Sequence, residues 1–140
     1  AMCCGMLQAS LETAVRYTLE RKTFGQPVLD HQGVRWKLVD AATDLEAARL
    51  LTYRAARLID EGGDAVLPAA YAKKFATEMA LKRIADCIQA MGANGLRAEY
   101  PLSRHLACAK IAAYTDGSIE MMNERIGVGL SQVFGPQVFG

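Results

Sequence analysis

The sequence has almost no charge imbalance. Its 140 residues carry 16 lysines and arginines against 15 aspartates and glutamates, with the two signs interspersed. A net charge of +1 leaves no basic stripe for a phosphodiester backbone, so nucleic acid is excluded as the main partner. No apolar run approaches the ~20 residues of a membrane-spanning helix. Histidine is scarce: His31 and His105 are the only two, and neither follows a glutamate by three, so the Glu-x-x-His ligand pattern of helical di-metal sites is missing. Cys3, Cys4, Cys87 and Cys108 show no Cys-x-x-Cys spacing and no neighbouring histidine pair, and no metal site is expected. The chain lacks a Gly-x-Ser-x-Gly elbow, a Gly-x-Gly-x-x-Gly turn after a strand and a phosphate loop. It shows no strand alternation worth counting and no linker long enough to divide it. Nothing basic precedes Ala1-Met2-Cys3-Cys4, so no signal peptide is read. The chain opens directly on helix-phase residues without a capping residue, and residue 1 is expected to lie inside a longer protein.

What is present is helical. Apolar residues make up 51% of the chain, and Ala, Leu and Met dominate over Val, Thr and aromatics. Each cysteine falls within a helical apolar pattern and reads as a small buried hydrophobe in a reducing compartment, the cytoplasm or a mitochondrial matrix. Residues 2–21 place Cys4, Leu7, Leu11, Ala14 and Thr18 on one stripe. Arg21-Lys22-Thr23-Phe24-Gly25-Gln26-Pro27 ends that helix, with Gly25 available beyond the C-cap and Pro27 unable to continue it. A long helix is expected at about 31–61, where Val34, Leu38, Ala41, Leu45, Ala48, Thr52, Ala55 and Ile59 form a seam in steps of four and three. A third runs from about Leu67 to Met91 on Phe75, Met79, Ile84, Cys87, Ile88 and Met91. A fourth starts at Pro101 and reaches about Tyr114, and a last one runs from Ser118 to about Leu130. The expected fold is all-α: an antiparallel bundle of three long helices and two short ones over residues 1–130. A loosely docked or disordered tail follows at 131–140, where Gln-Val-Phe-Gly occurs twice.

Three polar breaks carry the candidate chemistry. The break Tyr114-Thr115-Asp116-Gly117-Ser118-Ile119-Glu120 sets a carboxylate beside a glycine that can adopt positive φ. Ser118 stands at the N-cap of the following helix, and Glu120 and Glu124 suit its positive end. The other two breaks are Arg21-Lys22-Thr23-Phe24 with His31-Gln32, and Gln89-Ala90-Met91-Gly92-Ala93-Asn94-Gly95. An arginine, a hydroxyl, amides and close backbone approach are what a pyrophosphate and a ribose need. Taken singly, each break is also an ordinary helix joint.

Taken together, Arg21-Lys22-Thr23-Phe24-Gly25, His31-Gln32, Gln89-x-x-Gly92-Ala93-Asn94-Gly95, Glu99-Tyr100-Pro101 and Tyr114-x-Asp116-Gly117-Ser118 resemble the C-terminal helical domain of the flavin-dependent acyl-CoA dehydrogenases. Order and spacing agree over roughly residues 5–130. The resemblance implies an N-terminal helical domain and a middle β-domain upstream of Ala1, without which these 140 residues would have no turnover. It implies FAD as cofactor, an acyl-CoA substrate, an electron-transfer flavoprotein as acceptor and a homotetramer built as a dimer of dimers. By the same resemblance Arg21, Lys22, Thr23 and Phe24, with His31 and Gln32, contact the pyrophosphate and adenine side of FAD, and Gln89 through Gly92 and Ala93 contact the same region. Ser118 and Glu120 lie near FAD, Thr115 and Gly117 lie beside the thioester, and Asp116 stands where the catalytic base belongs. The reaction implied is α,β-dehydrogenation, in which a carboxylate takes the α-proton while a hydride leaves the β-carbon.

Three departures stand out. The usual base is a glutamate within Tyr-Glu-Gly-Thr; here Thr115-Asp116 replaces Tyr-Glu, and the carboxylate is shorter by one methylene, roughly 1.5 Å of reach, where errors near 1 Å can cost about a hundredfold in rate. Ala93 replaces the second glycine of a Gly-Gly pair, and Ala107-Cys108 replaces an Arg-Asp pair. Two readings follow: Asp116 is the base, or, as in some family members, the base lies upstream of this sequence. A non-catalytic partner subunit of a mixed assembly is the alternative function.

Overall fold

The computed structural model describes residues 1–135. Five α-helices account for most of them: α1 (Met2–Glu20), α2 (Gln32–Asp60), α3 (Val66–Met91), α4 (Leu102–Ala112) and α5 (Ile119–Phe134). Side-chain pairs fix how they run. Gln8 accepts from Arg49, and Cys4 Sγ lies 3.9 Å from Thr52 Oγ1, so α1 and α2 are antiparallel. Lys37 meets Asp86, and Arg83 meets Asp40 and Asp44, so α2 and α3 are antiparallel too. Lys73, near the start of α3, meets Thr115 just past the end of α4.

The central helix is α3, which contacts every other α-helix. Its sequence explains why. Ala70, Ala72, Ala76, Ala80 and Ala90 let neighbouring backbones approach closely on several faces, while Ile84, Cys87 and Met91 fill the middle. The expected stripe of Phe75, Met79 and Ile88 is half-buried, and the small residues between them are buried instead. Along α2 the seam holds at Leu38, Ala41, Leu45, Ala48 and Ala55, but Ile59 is exposed. Along α1 it holds at Cys4, Leu7, Ala14 and Thr18, joined by Cys3 and Ser10. Ser10 is buried because its hydroxyl donates to the Met6 carbonyl and meets His105 Nδ1 at 3.3 Å.

One charged cluster ties α2 to α3. The guanidinium of Arg83 is nearly buried and faces Asp44, Asp86 at 2.9 Å and Asp40 at 3.3 Å. Burial pulls its pKa down, but the bonds to Asp44 and Asp86 outweigh that and hold the cation. Cys87, one turn away, is pushed up to about 12 by burial and by Asp86, so it is an inert core thiol.

Several details differ from the sequence reading. Lys22–Thr23 and Gln26–Pro27 pair as a two-stranded antiparallel hairpin, β1 and β2, too short to show any alternation. Gly25 does not cap α1; with φ +83° it shares the hairpin turn with Phe24 at φ +52°, the two positive φ values of a type I′ turn. Gly92–Leu96 is a 3-10 turn rather than a plain stop. Helix α5 continues past Leu130 to Phe134, although its last turn is exposed. The tail expected at 131–140 is therefore helical at its start, and residues 136–140 lie outside the described residues. Cys108 is exposed, unlike the other three free cysteines, because α4 buries the stripe Leu102, Ala109, Ala112 and Cys108 is one step off it. No helix among the described residues is long and apolar enough to cross a membrane.

Candidate functional site

The expected site residues divide between two poles of the bundle. Arg21, Lys22, Thr23, Phe24, His31 and Gln32 lie where α1 ends and α2 begins, and Gln89, Gly92 and Ala93 lie at the end of α3 at that same pole. Thr115, Asp116, Gly117, Ser118 and Glu120 lie at the other pole, beside the start of α1 and the start of α3. The 19 residues of α1 separate them by roughly 28 Å at 1.5 Å per residue. One chain therefore does not bring the two groups together.

The first pole is built around His31. Gln26 Nε2 donates to His31 Nδ1 at 3.1 Å, which leaves the proton on Nε2. His31 Nε2 then donates to Thr23, whose Oγ1 is 2.9 Å away and whose carbonyl is 3.3 Å away. The imidazole thus braces both strands of the hairpin and stands edge-on to the Phe24 ring at 6.0 Å. Phe24 is 98% exposed at the tip, on a backbone that bulky residues avoid. An exposed aromatic held in a costly conformation is a candidate contact surface. Arg21, Lys22 and Gln32 are exposed around it, and Arg21 has no ion pair among the described residues. His31 also occupies the N-cap of α2 and makes no side-chain cap; Val34 N–H donates to the His31 carbonyl at 3.0 Å, and the N–H groups of Gln32 and Gly33 stay open. A guanidinium, open helix N–H groups and an aromatic face form a donor set that fits a dinucleotide's pyrophosphate and ring.

The neighbouring turn is held by residues not singled out as ligands. Asn94 Nδ2 donates to Tyr17 Oη at 2.6 Å, and Tyr17 packs edge-to-face on Tyr100 at 6.1 Å. A side chain on Gly95 would put its Cβ 2.9 Å from both Cα and the carbonyl oxygen of Ile88, so the turn closes only on glycine there. Ala93 is exposed and has no positive φ, so its methyl costs the fold nothing. Arg97 and Glu99 form a bidentate pair at 2.6–2.7 Å on the exposed loop beyond.

At the second pole Asp116 has φ +53° and Gly117 +98°. These two left-handed residues turn the chain out of α4 and into α5, and the Asp116 side chain is exposed at the bend. Its carboxylate has no hydrogen bond or ion pair among the described residues. Ser118 sits at the N-cap of α5 but makes no side-chain cap. Its hydroxyl instead supports Glu120, and with the Glu120 backbone N–H holds that carboxyl below its usual range. Thr115 donates from Oγ1 to the Ala112 carbonyl at 3.2 Å, and its own carbonyl accepts from Lys73 Nζ. Two grooves meet here. One, of about 340 Å³, runs past Asp116 and Lys73 between α1, α2 and α3 and is lined largely by alanines. The other, of about 590 Å³, is apolar, lies between α1 and α4, and includes Met6, His105, Cys108 and Thr115.

This arrangement is a helical bundle domain with nucleotide-type donors at one pole and a free carboxylate at the other. Residues 1–131 match the family model described as the acyl-CoA dehydrogenase C-terminal domain, and the chain belongs to that family. An acyl-CoA dehydrogenase of Bacillus subtilis strain 168 is 40% identical over 121 residues, covering 86% of this chain and 32% of the relative. The butyryl-CoA dehydrogenase of Megasphaera elsdenii superposes with a TM-score of 0.89 at 35% identity, over 91% of this chain and 33% of that one. The FAD complex of PigA superposes with a TM-score of 0.88 at 31% identity, over 92% of this chain and 34% of that one. The chain thus spans about a third of the length of the proteins it matches.

Proposed function

We propose that this chain is the cofactor-holding and base-bearing domain of a flavoenzyme that converts an acyl-CoA thioester to its 2-enoyl form. The observation that carries the reading is Asp116: an exposed, unpartnered carboxylate on a left-handed bend, at the position where the family resemblance puts a base. Asp116 takes the α-proton of the thioester. Gly117, without a side chain, leaves room for the thioester beside that carboxylate, and Thr115 borders the same space. The chemistry that FAD supplies when bound is acceptance of the hydride from the β-carbon. Arg21 neutralises pyrophosphate charge, Lys22, Thr23, Gln32 and the open end of α2 complete its polar surroundings, and Phe24 covers the ring side. Gln89, Gly92 and Ala93 border the same region. Ser118 and the anionic Glu120 flank the cofactor at the carboxylate pole.

The two poles of one chain are too far apart to share a single cofactor without help. Two copies, each lending the other its hairpin pole, satisfy the full residue set, which supports a homo-oligomer, in the fuller reading a dimer of dimers. Two further domains upstream complete the site in this reading, an electron-transfer flavoprotein takes the electrons, and the free thiols suit a reducing compartment.

The test is anaerobic titration of the purified full-length protein with acyl-CoAs while its flavin absorbance is followed. Bleaching by one thioester class, and its loss in Asp116→Asn with the flavin retained, is the expected result. A protein that neither carries nor takes up FAD overturns the reading. The isolated 140 residues are expected to show no turnover.

A further inference from the structure

We infer that Lys73 is a positioning residue for the proton-abstracting carboxylate. The inference rests on the reading of Asp116 as base and adds to it a specific support from another helix. Lys73 lies in the second turn of α3, forty-two residues before the bend it serves. Its ammonium donates to the carbonyl of Thr115, the residue immediately before Asp116. That carbonyl lies past the last turn of α4, where no helical partner remains for it.

The bond matters because of the backbone that follows it. Asp116 and Gly117 both have positive φ, and a non-glycine residue there persists only when its surroundings hold it. Fixing the Thr115 carbonyl fixes the peptide plane that enters Asp116 and so sets where its carboxylate points. Thr77, one turn on, donates from its hydroxyl to the Lys73 carbonyl at 2.8 Å, and the neighbouring Lys74 is committed to Glu78 at 2.7 Å. Lys73 itself has no carboxylate partner among the described residues, so its charge is directed at the bend. Lys73 and Asp116 also line the same groove, and the bond is charge-assisted because its donor is an ammonium.

The test compares Lys73→Met and Lys73→Arg in the flavin-loaded full-length protein. Methionine keeps the aliphatic stem and removes the donor; arginine restores a donor. Lys73→Met is expected to lower kcat about tenfold or more with KM for the acyl-CoA nearly unchanged. It is also expected to speed amide hydrogen exchange about tenfold, confined to the 113–119 segment, and Lys73→Arg should recover most of both. Unchanged kcat and unchanged local exchange in Lys73→Met would overturn the inference. So would accelerated exchange spread over the whole chain with a lowered Tm, which marks Lys73 as part of the general fold. Failure of the parent reading is distinguishable: Asp116→Asn would keep its turnover, while the local exchange result for Lys73→Met would stand or fall by itself.

Discussion

Phe24-Gly25 and Asp116-Gly117 repeat one pattern of positive φ angles at opposite ends of the bundle. Phe24 has φ +52° and Asp116 +53°, and each is followed by a glycine further into the left-handed region. They are held by different means. The Phe24 turn sits in a hairpin ladder and is braced by both ring nitrogens of His31, which is only seven residues along the chain. The Asp116 bend has no ladder and depends on a lysine from α3. The difference follows side-chain chemistry. A bulky aromatic resists left-handed backbone more than aspartate does, so the costlier residue has the denser local clamp. The carboxylate has the lighter support, as the proposed role of Asp116 as a base that meets a substrate requires.

That contrast can be broken or sharpened by experiment. The largest effect is expected from Asp116→Asn, which removes the proposed base while keeping the bend. Solvent exchange of the substrate α-proton should fall on the order of a thousandfold with flavin content unchanged. Next is Arg21→Ala, which touches only the hairpin pole. Flavin affinity measured by apoprotein titration should fall by about a hundredfold, while Tm of the apoprotein stays within about 1 °C because the side chain is exposed. Gly95→Ala probes the turn behind that pole. A Cβ 2.9 Å from two Ile88 backbone atoms should destabilise the protein by about 2 kcal/mol in urea unfolding, with weaker flavin retention as a consequence.

The smallest effect concerns His105, which faces Ser10 and the apolar groove leading back from the carboxylate pole. Burial first, then Arg104, lower its pKa from 6.5. The unfolded chain therefore binds that proton more readily than the folded one. The stability at stake is present above pH 6.5 and is lost as pH falls through the ordinary histidine range towards the lowered folded value. His105→Gln should flatten Tm against pH in that interval; an unaltered slope would assign the acid sensitivity elsewhere.

How legible each part was depended on the range of the interactions that make it. The α2 seam from Leu38 to Ala55 was readable because helical burial repeats within a few residues. Cys108 was misplaced because a single step around a helix changes burial, and only the packing of α4 on α1 and α3 decides which step faces in. The β1–β2 hairpin escaped because two-residue strands carry no period, and Gly25 had two possible roles that only the ladder separates. Helix α5 outran its expected end because an apolar, glycine-containing segment gives no stop signal at Leu130. Among the candidate residues, Arg21, Thr23, Phe24, His31 and Asp116 stand in short motifs that the sequence displays. Tyr17 and Lys73 do not, because each acts on a partner 77 or 42 residues away and no local pattern marks it.

The sequence by itself determined the all-α architecture, the positions of the breaks and the chemical groups available at them, since helix periodicity, glycine and side-chain chemistry are local properties. Tertiary structure alone decided that those groups stand at two poles about 28 Å apart, that Phe24 and Asp116 both take positive φ, and that a lysine on α3 bonds to the carbonyl before the carboxylate. Those facts depend on antiparallel packing, which brings together residues that no spacing along the chain relates.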